Sequence, residues 1–132
     1  MIYLDTSVAL AQLLTEERQP PSHLWAQELV SSRLLEYEVI TRINARGLAG
    51  THTEAARRLL GFVSTLEIAP PILERILEPF PLPVRTPDAI HLASMVFLTR
   101  GRQQVQLASY DERLNGAAVA LGFHLWPDLD TD

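Results

Sequence analysis

Apolar positions along the chain recur in two rhythms, short continuous runs and three-to-four spacings, which predict strands and helices in alternation. Ile2-Tyr3-Leu4 reads as a buried strand, partly β-branched and aromatic. Asp5 ends it, and Thr6 and Ser7 are helix-starting residues before an apolar run that carries the helix to Leu14. Thr15 to Pro21 breaks that helix. Ser22 is placed to cap a second one carrying Leu24 and Trp25. Leu29-Val30-Ser31-Ser32 fits either the end of that helix or a short strand, and the strand over 29–32 is preferred. Leu35, Val39, Ile40 and Ile43 form the core-facing stripe of a helix from about Arg33 to Arg46, stopped by Gly47. A further amphipathic helix is predicted over Thr53 to Leu66, with Ala56, Leu59, Leu60 and Val63 inward, and Glu67-Ile68-Ala69 as a short edge strand.

In the second half, Ile72, Leu73, Ile76 and Leu77 give one short helix, and Pro79, Pro81 and Pro83 force an extended passage. Thr86 as cap and Pro87 at the first helical position open a helix that is apolar on nearly every side through Leu98. It is predicted to be central and buried. Gln104 to Ala108 is a strand, and Asp111 opens a helix running Arg113 to Leu121 with Gly122 as its stop. Phe123 to Trp126 is the last strand, and the tail from Pro127 to Asp132 is expected to fray. Recurring βα units with helices long enough for right-handed crossovers imply an α/β fold around parallel strands.

Composition narrows the function more than the fold. A chain of 132 residues, 47% hydrophobic and 20% charged, is one globular domain, taken as residues 1–132. No apolar run reaches the ~20 residues of a membrane span, and the N-terminus lacks the shape of a signal peptide, so the expected location is cytoplasmic. Zero cysteines exclude disulfides, thiol nucleophiles and thiolate zinc sites. All 11 basic residues are arginine, which removes the phosphate loops and Schiff-base chemistry that require lysine. A net charge of −5 argues against wrapping nucleic acid over a broad basic face. An acidic chain can still act on nucleic acid if its acids are gathered around metal ions.

Four acids carry the candidate chemistry. Asp5 and Asp111 each stand where a strand gives way to a helix, the edge at which open α/β sheets bind ligands. Each is also explained by helix capping alone. Asp88 falls in the first turn of the buried helix, where the dipole favours negative charge by ~0.3–1 kcal/mol. Glu38 sits beside the helical stripe, and Arg42 four residues on offers it an ordinary exposed pair worth ~0.3–0.5 kcal/mol. His91, one turn beyond Asp88, fits a satisfied packing residue better than a ligand. If the strands are neighbours, these carboxylates converge on one crevice and repel, unless a cation joins them. Oxygen-only donors suit Mg²⁺ or Mn²⁺, and phosphodiester hydrolysis is the natural task.

Tyr3-Leu4-Asp5-Thr6-Ser7, Glu38 within Leu35 to Val39, Thr86-Pro87-Asp88-Ala89-Ile90-His91-Leu92-Ala93, and Ser109-Tyr110-Asp111-Glu112-Arg113-Leu114 resemble the acidic motifs of PIN-domain ribonucleases. The nearest likeness is to the VapC-like toxin branch of toxin–antitoxin systems. It spans essentially the whole chain, and the four motifs together are specific where one alone is weak. The resemblance implies a three-layer α/β/α sandwich with a central parallel sheet and a site for Mg²⁺ or Mn²⁺. Asp5, Asp88 and Asp111 would hold metal, and Glu38, chosen over Glu36 on the family pattern, would complete the cluster. Thr6 or Ser7 would support Asp5 or touch a phosphate. Further implications are an RNA substrate, a homodimer, and an inhibitory VapB-like antitoxin whose tail fills the acidic groove. Arg42, Arg46, Arg85 and Arg113 are the arginines nearest the acids and the candidates for RNA contact. Rival readings are a catalytically silent PIN-like binding module and a phosphoaspartyl phosphatase or receiver. The second fits poorly, because Ser7 stands where such a phosphatase has its second acid and the late lysine of a receiver is missing.

Overall fold

The computed structural model describes residues 1–101 and 103–130. Among these residues five strands form one parallel sheet: β1 (Ile2–Leu4), β2 (Leu29–Ser32), β3 (Val63–Leu66), β4 (Gln106–Ala108) and β5 (His124–Leu125), in the spatial order β3-β2-β1-β4-β5. Chain order runs outward from β1 through β2 to β3, then returns to the other side of β1 for β4 and β5. The reversal leaves a crevice at the carboxyl ends of β1 and β4, the switch point at which such sheets bind ligands. Ile2 pairs with Gln106, Tyr3 with Leu107 and Leu4 with Ala108, so β1 and β4 end level.

Among the described residues six α-helices flank the sheet: α1 (Thr6–Leu13), α2 (Leu34–Ala45), α3 (Ala49–Leu60), α4 (Pro70–Ile76), α5 (Thr86–Arg100) and α6 (Glu112–Ala120). Alternation along β1 sorts them into layers. Ile2 and Leu4 join one apolar cluster with Val8 of α1, Val39 and Ile43 of α2, and Ala56 and Leu59 of α3. Tyr3 points the other way, into a second cluster with Leu92 and Met95 of α5 and Leu114 and Ala117 of α6. The architecture is the three-layer α/β/α sandwich with a parallel sheet that the sequence implied. As expected, α5 is central, with Ala89 and His91 through Met95 buried.

Four expectations are corrected. The helix predicted over Thr53–Leu66 spans Ala49–Leu60 instead, and Val63–Leu66 is β3, pairing in register with Leu29–Ser32. Val63 happens to continue the spacing of Ala56 and Leu59, which hid a change of period after Gly61. The edge strand placed at residues 67–69 therefore lies four residues earlier. Ser22 caps nothing: Ser22–Ala26 is a 3₁₀ segment after Pro21, without a side-chain cap. The tail does not fray over its described part, 127–130. Leu129 is buried beside Trp126 in the first cluster, and Arg18 bonds Asp130 at 2.7 Å. Thr131 and Asp132 lie outside the described residues. Gly47 and Gly122 end their helices with φ of +69° and +96°, a region that glycine enters without steric cost.

The docked tail gives a direct check. Leu129→Ala is expected to cost roughly 2–3 kcal/mol, as for a core leucine at the margin of a cluster. Urea denaturation measures it, and a loss under about 0.5 kcal/mol, the ordinary range for surface substitutions, would mean that the tail is not packed.

Candidate active site

Asp5, Thr6, Ser7, Glu38, Arg42, Arg85, Asp88, His91 and Asp111 line one cleft of about 380 Å³ at the carboxyl edge of β1 and β4. The four acids that the sequence singled out therefore come together. Each arrives from a different element: Asp5 from the end of β1, Glu38 from the second turn of α2, Asp88 from the first turn of α5, and Asp111 from the start of α6.

Asp5 is buried, at 6% exposure, and all its side-chain hydrogen bonds among the described residues fall on one oxygen. Oδ2 accepts the Ser7 hydroxyl at 2.6 Å, the Ser109 hydroxyl at 2.8 Å and the Ser7 backbone N–H at 3.3 Å. The same hydroxyls tie down the neighbouring loop, since Ser7 Oγ accepts from Tyr110 N–H and Ser109 Oγ from Asp111 N–H, both at 2.9 Å. Asp111 is likewise held through a single oxygen, Oδ1, which accepts the N–H groups of Arg113 at 2.9 Å and Leu114 at 3.2 Å. The capping roles read from the sequence are real, and they coexist with the site. Capping occupies one oxygen of each carboxylate and leaves the other for the cleft.

Glu38 follows the same rule by different means. Its Oε1 accepts from the Thr6 hydroxyl at 2.8 Å and lies 2.7 Å from His91 Nε2. The ion pair with Arg42 suggested by their spacing is not formed among the described residues, although the charge of Arg42 is felt. Glu36 turns away and pairs with Arg33 at 3.3 Å, which separates it from the cleft. Arg33 also bridges Glu67. Thr6 and Ser7 thus divide the supporting work: Thr6 holds Glu38 and Ser7 holds Asp5.

Sequence reasoning missed three contributors: His91, Tyr3 and Ser109. His91 is buried and sits between Glu38 and the Tyr3 hydroxyl, 2.8 Å from its Nδ1. The one signal available was its position a turn past Asp88 on the same helix. Ser109 and Tyr3 gave none, since a serine before a turn and a tyrosine in a strand are ordinary. Among the arginines, Arg42 and Arg85 line the cleft. Arg46 lines an adjoining hollow that shares Ser7, Leu10 and Arg42 with it. Arg113 is exposed and lines neither.

The electrostatics are those of crowded carboxylates. The Asp88 carboxyl is pushed above its ordinary range, first by burial and then by the charges of Asp111 and Asp5, against the opposing pull of Arg85. Glu38 is buried enough to raise its own value, yet the His91 hydrogen bond and charge, with Thr6 and Arg42, bring it below the usual carboxylate range. His91 shows the converse: burial lowers it, and Glu38, Asp5 and Asp88 together raise it above the ordinary imidazole. Burial also pushes the Tyr3 hydroxyl well up, so it stays a neutral donor.

The donor set fits a hard divalent cation in its chemistry: anionic oxygens only, each with a free lone-pair edge on one cleft. Among the described residues, no three His, Asp or Glu side chains are already closed around a common point. Mutual repulsion would hold such carboxylates apart until a cation relieved it.

Comparison with known proteins gives matches over nearly the whole chain. The PIN domain family model matches residues 2–120. Ribonuclease VapC46 of Mycobacterium tuberculosis (strain ATCC 25618 / H37Rv) is 34% identical over 127 residues, covering 92% of both chains. Ribonuclease VapC47 of Mycobacterium tuberculosis (strain CDC 1551 / Oshkosh) is 28% identical over 130 residues, covering 93% of both.

The raised Asp88 carboxyl makes a prediction with a definite sign. A carboxyl whose folded value lies above its unfolded one favours folding fully below about pH 4, and that contribution is lost as pH rises through the folded value. Asp88→Asn is therefore expected to be more stable than the unaltered chain at pH 7 without metal. After solvent screening the gain is under about 1 kcal/mol, a few degrees at most in melting temperature. The difference should vanish below pH 4. Thermal melts in chelator at pH 7 and pH 3.5 test this, and a lower melting temperature for the variant at pH 7 would contradict it.

Proposed function

The chain belongs to the PIN-domain family, and from that premise we propose that it is a metal-dependent endoribonuclease, the toxin of a toxin–antitoxin pair. One observation carries the reading. Asp5, Glu38 and Asp111 share a cleft, and each is anchored through one carboxylate oxygen with the other left unengaged among the described residues. A structural cluster would spend both oxygens on the protein. These acids are prepared for something that is not protein. The names of the two mycobacterial relatives, both ribonucleases, support the same class of activity. Nothing in them favours a phosphoaspartyl enzyme.

In this reading Asp5, Asp88 and Asp111 hold Mg²⁺ or Mn²⁺. The chemistry such a cation supplies when bound is neutralisation of phosphate charge and a more acidic water. Glu38, held below the usual carboxylate range, stays ionised and accepts a proton from the attacking water. Arg42 and Arg85, on the cleft wall, take the phosphate oxygens, and Arg46 in the adjoining hollow takes a flanking phosphate. Arg113, outside both, contributes at most to RNA lying across the surface. Because the hydroxyls of Thr6 and Ser7 are already given to Glu38 and Asp5, both act as supports and not as phosphate contacts.

The whole chain, 1–132, serves as one nuclease domain acting in the cytoplasm. No helix among the described residues is long and apolar enough to cross a membrane. The partners are an RNA substrate, a second copy in a homodimer, and a VapB-like antitoxin. An acidic cleft of this size suits an arginine from an antitoxin tail, which would replace the cation's charge and shut the site.

Cleavage of labelled single-stranded RNA by the purified protein tests the proposal. It would be run with Mn²⁺ or Mg²⁺, with chelator, and with Asp5→Asn checked for the same fold. The expected outcome is metal-dependent cutting that falls at least 100-fold, equivalent to about 2.7 kcal/mol or more, in both controls. Cutting that persists in chelator would point to another mechanism. Neither cutting nor metal binding would favour the silent module.

A further inference from the structure

We propose that His91 is a positioning residue of the site, with Tyr3 behind it, fixing which oxygen of Glu38 faces the cleft. The inference rests on the nuclease reading above and assigns a role to two residues outside the acidic set. The chain of contacts begins in the backbone. Ser32 N–H of β2 donates to the Tyr3 hydroxyl at 3.0 Å. With that oxygen accepting, the hydroxyl hydrogen is free to be given to His91 Nδ1, 2.8 Å away. Nδ1 then acts as acceptor, so the ring proton resides on Nε2, which donates to Glu38 Oε1 at 2.7 Å. A doubly protonated ring keeps that last bond, since Nε2–H is present in both forms. Protonation would reverse only the Tyr3 link, where Nδ1–H would donate to the hydroxyl, and leaves the donation from Nε2 to Glu38 unchanged.

Burial makes the arrangement rigid. Tyr3 is fully buried and His91 is 2% exposed, and their rings meet edge to face with centroids 5.6 Å apart. Thr6 supplies a second donor to the same Glu38 oxygen. Two donors on Oε1 leave Oε2 as the oxygen presented to the cleft. Glu38 reaches the cleft on a flexible side chain from α2, whereas Asp5 and Asp111 are pinned by backbone N–H groups of their own helix starts. Unlike Asp5 and Asp111, it is held by side chains alone, both from other elements. A packing histidine needs neither nitrogen directed at a cleft acid, and His91 has both nitrogens committed along a line from the sheet to that acid.

The test pairs kinetics with a spectrum of the metal-free protein. In the long-range ¹H–¹⁵N spectrum at pH 7, His91 is expected to carry its proton on Nε2. A His91 protonated on Nδ1 alone would overturn the inference without any reference to activity. In the RNA cleavage assay with Mn²⁺, His91→Leu is expected to lower kcat 10- to 100-fold with KM changed less than threefold. His91→Gln, which restores an N–H toward Glu38, should recover most of the loss, and Tyr3→Phe should cost three- to tenfold while keeping the packed ring. If His91→Leu fails to fold, the last two variants decide alone. A loss that His91→Gln does not recover, or a Tyr3→Phe chain with unchanged kcat, overturns the positioning role. Absence of cutting by the unaltered chain instead overturns the nuclease reading, and is told apart by that control.

Discussion

Carboxylates gathered on one edge of a sheet repel one another, and much of the local structure answers that constraint. Repulsion is tolerated because three of the four acids, Asp5, Glu38 and Asp111, are tied to the scaffold through a single oxygen, by donors that cannot easily move. Ser7 and Ser109 grip Asp5, backbone N–H groups of α6 grip Asp111, and Thr6 with His91 grip Glu38. Asp88 is the least compensated, and its carboxyl rises accordingly, first through burial and then through Asp111 and Asp5. A site of this kind stores unfavourable electrostatics that a ligand cation would release. That is the usual relation between activity and stability at functional sites.

The sheet supplies the geometry for this without special strain. Because β1 and β4 are parallel, adjacent and level, Asp5 and the Ser109–Asp111 loop emerge side by side. The pairing is reinforced past the last strand residues, where Asp5 N–H donates to Ala108 C=O at 3.0 Å. Tyr3 links the core to the chemistry. Its ring packs in the cluster beneath α5 and α6, while its hydroxyl passes the orientation of the β2 backbone to His91. One strand of three residues thus sends Ile2 and Leu4 into one layer, Tyr3 into the other, and Asp5 to the rim.

Much of this was legible in the sequence, for reasons that differ between residues. Asp5 and Asp111 stand at strand-to-helix junctions with local capping signals, and Asp88 in the first turn of a helix opened by Pro87, so their positions followed from neighbours within a few residues. Glu38 was placed by resemblance, since periodicity alone allowed an exposed pair with Arg42 equally well. The helix α3 and strand β3 were confused because Val63 satisfies a helical spacing and a strand alternation at once, and only pairing with β2 decides between them. The tail was misjudged because burial of Trp126 and Leu129 depends on contacts with distant residues. His91 was undervalued for the same reason: its partners, Tyr3 and Glu38, are 88 and 53 residues away in sequence.

The same long-range logic bears on how an acidic chain can engage RNA. With a net charge of −5, attraction cannot come from the whole-molecule field and must come from local groups. Arg42 and Arg85 stand on the wall of the acidic cleft, and Arg46 follows Arg42 by one turn along α2 into the adjoining hollow. Glu16 and Glu17 line that hollow too, so its charge is mixed. Such a surface offers little non-specific grip, and a strand would be retained where phosphates meet arginines and a bound cation together. Under the proposed function, selectivity would arise from what can enter the cleft, and an arginine-bearing inhibitor would compete for the same acids as a cation. Substrate, cation and inhibitor would then bear on one set of carboxylate oxygens, the ones left unbonded among the described residues.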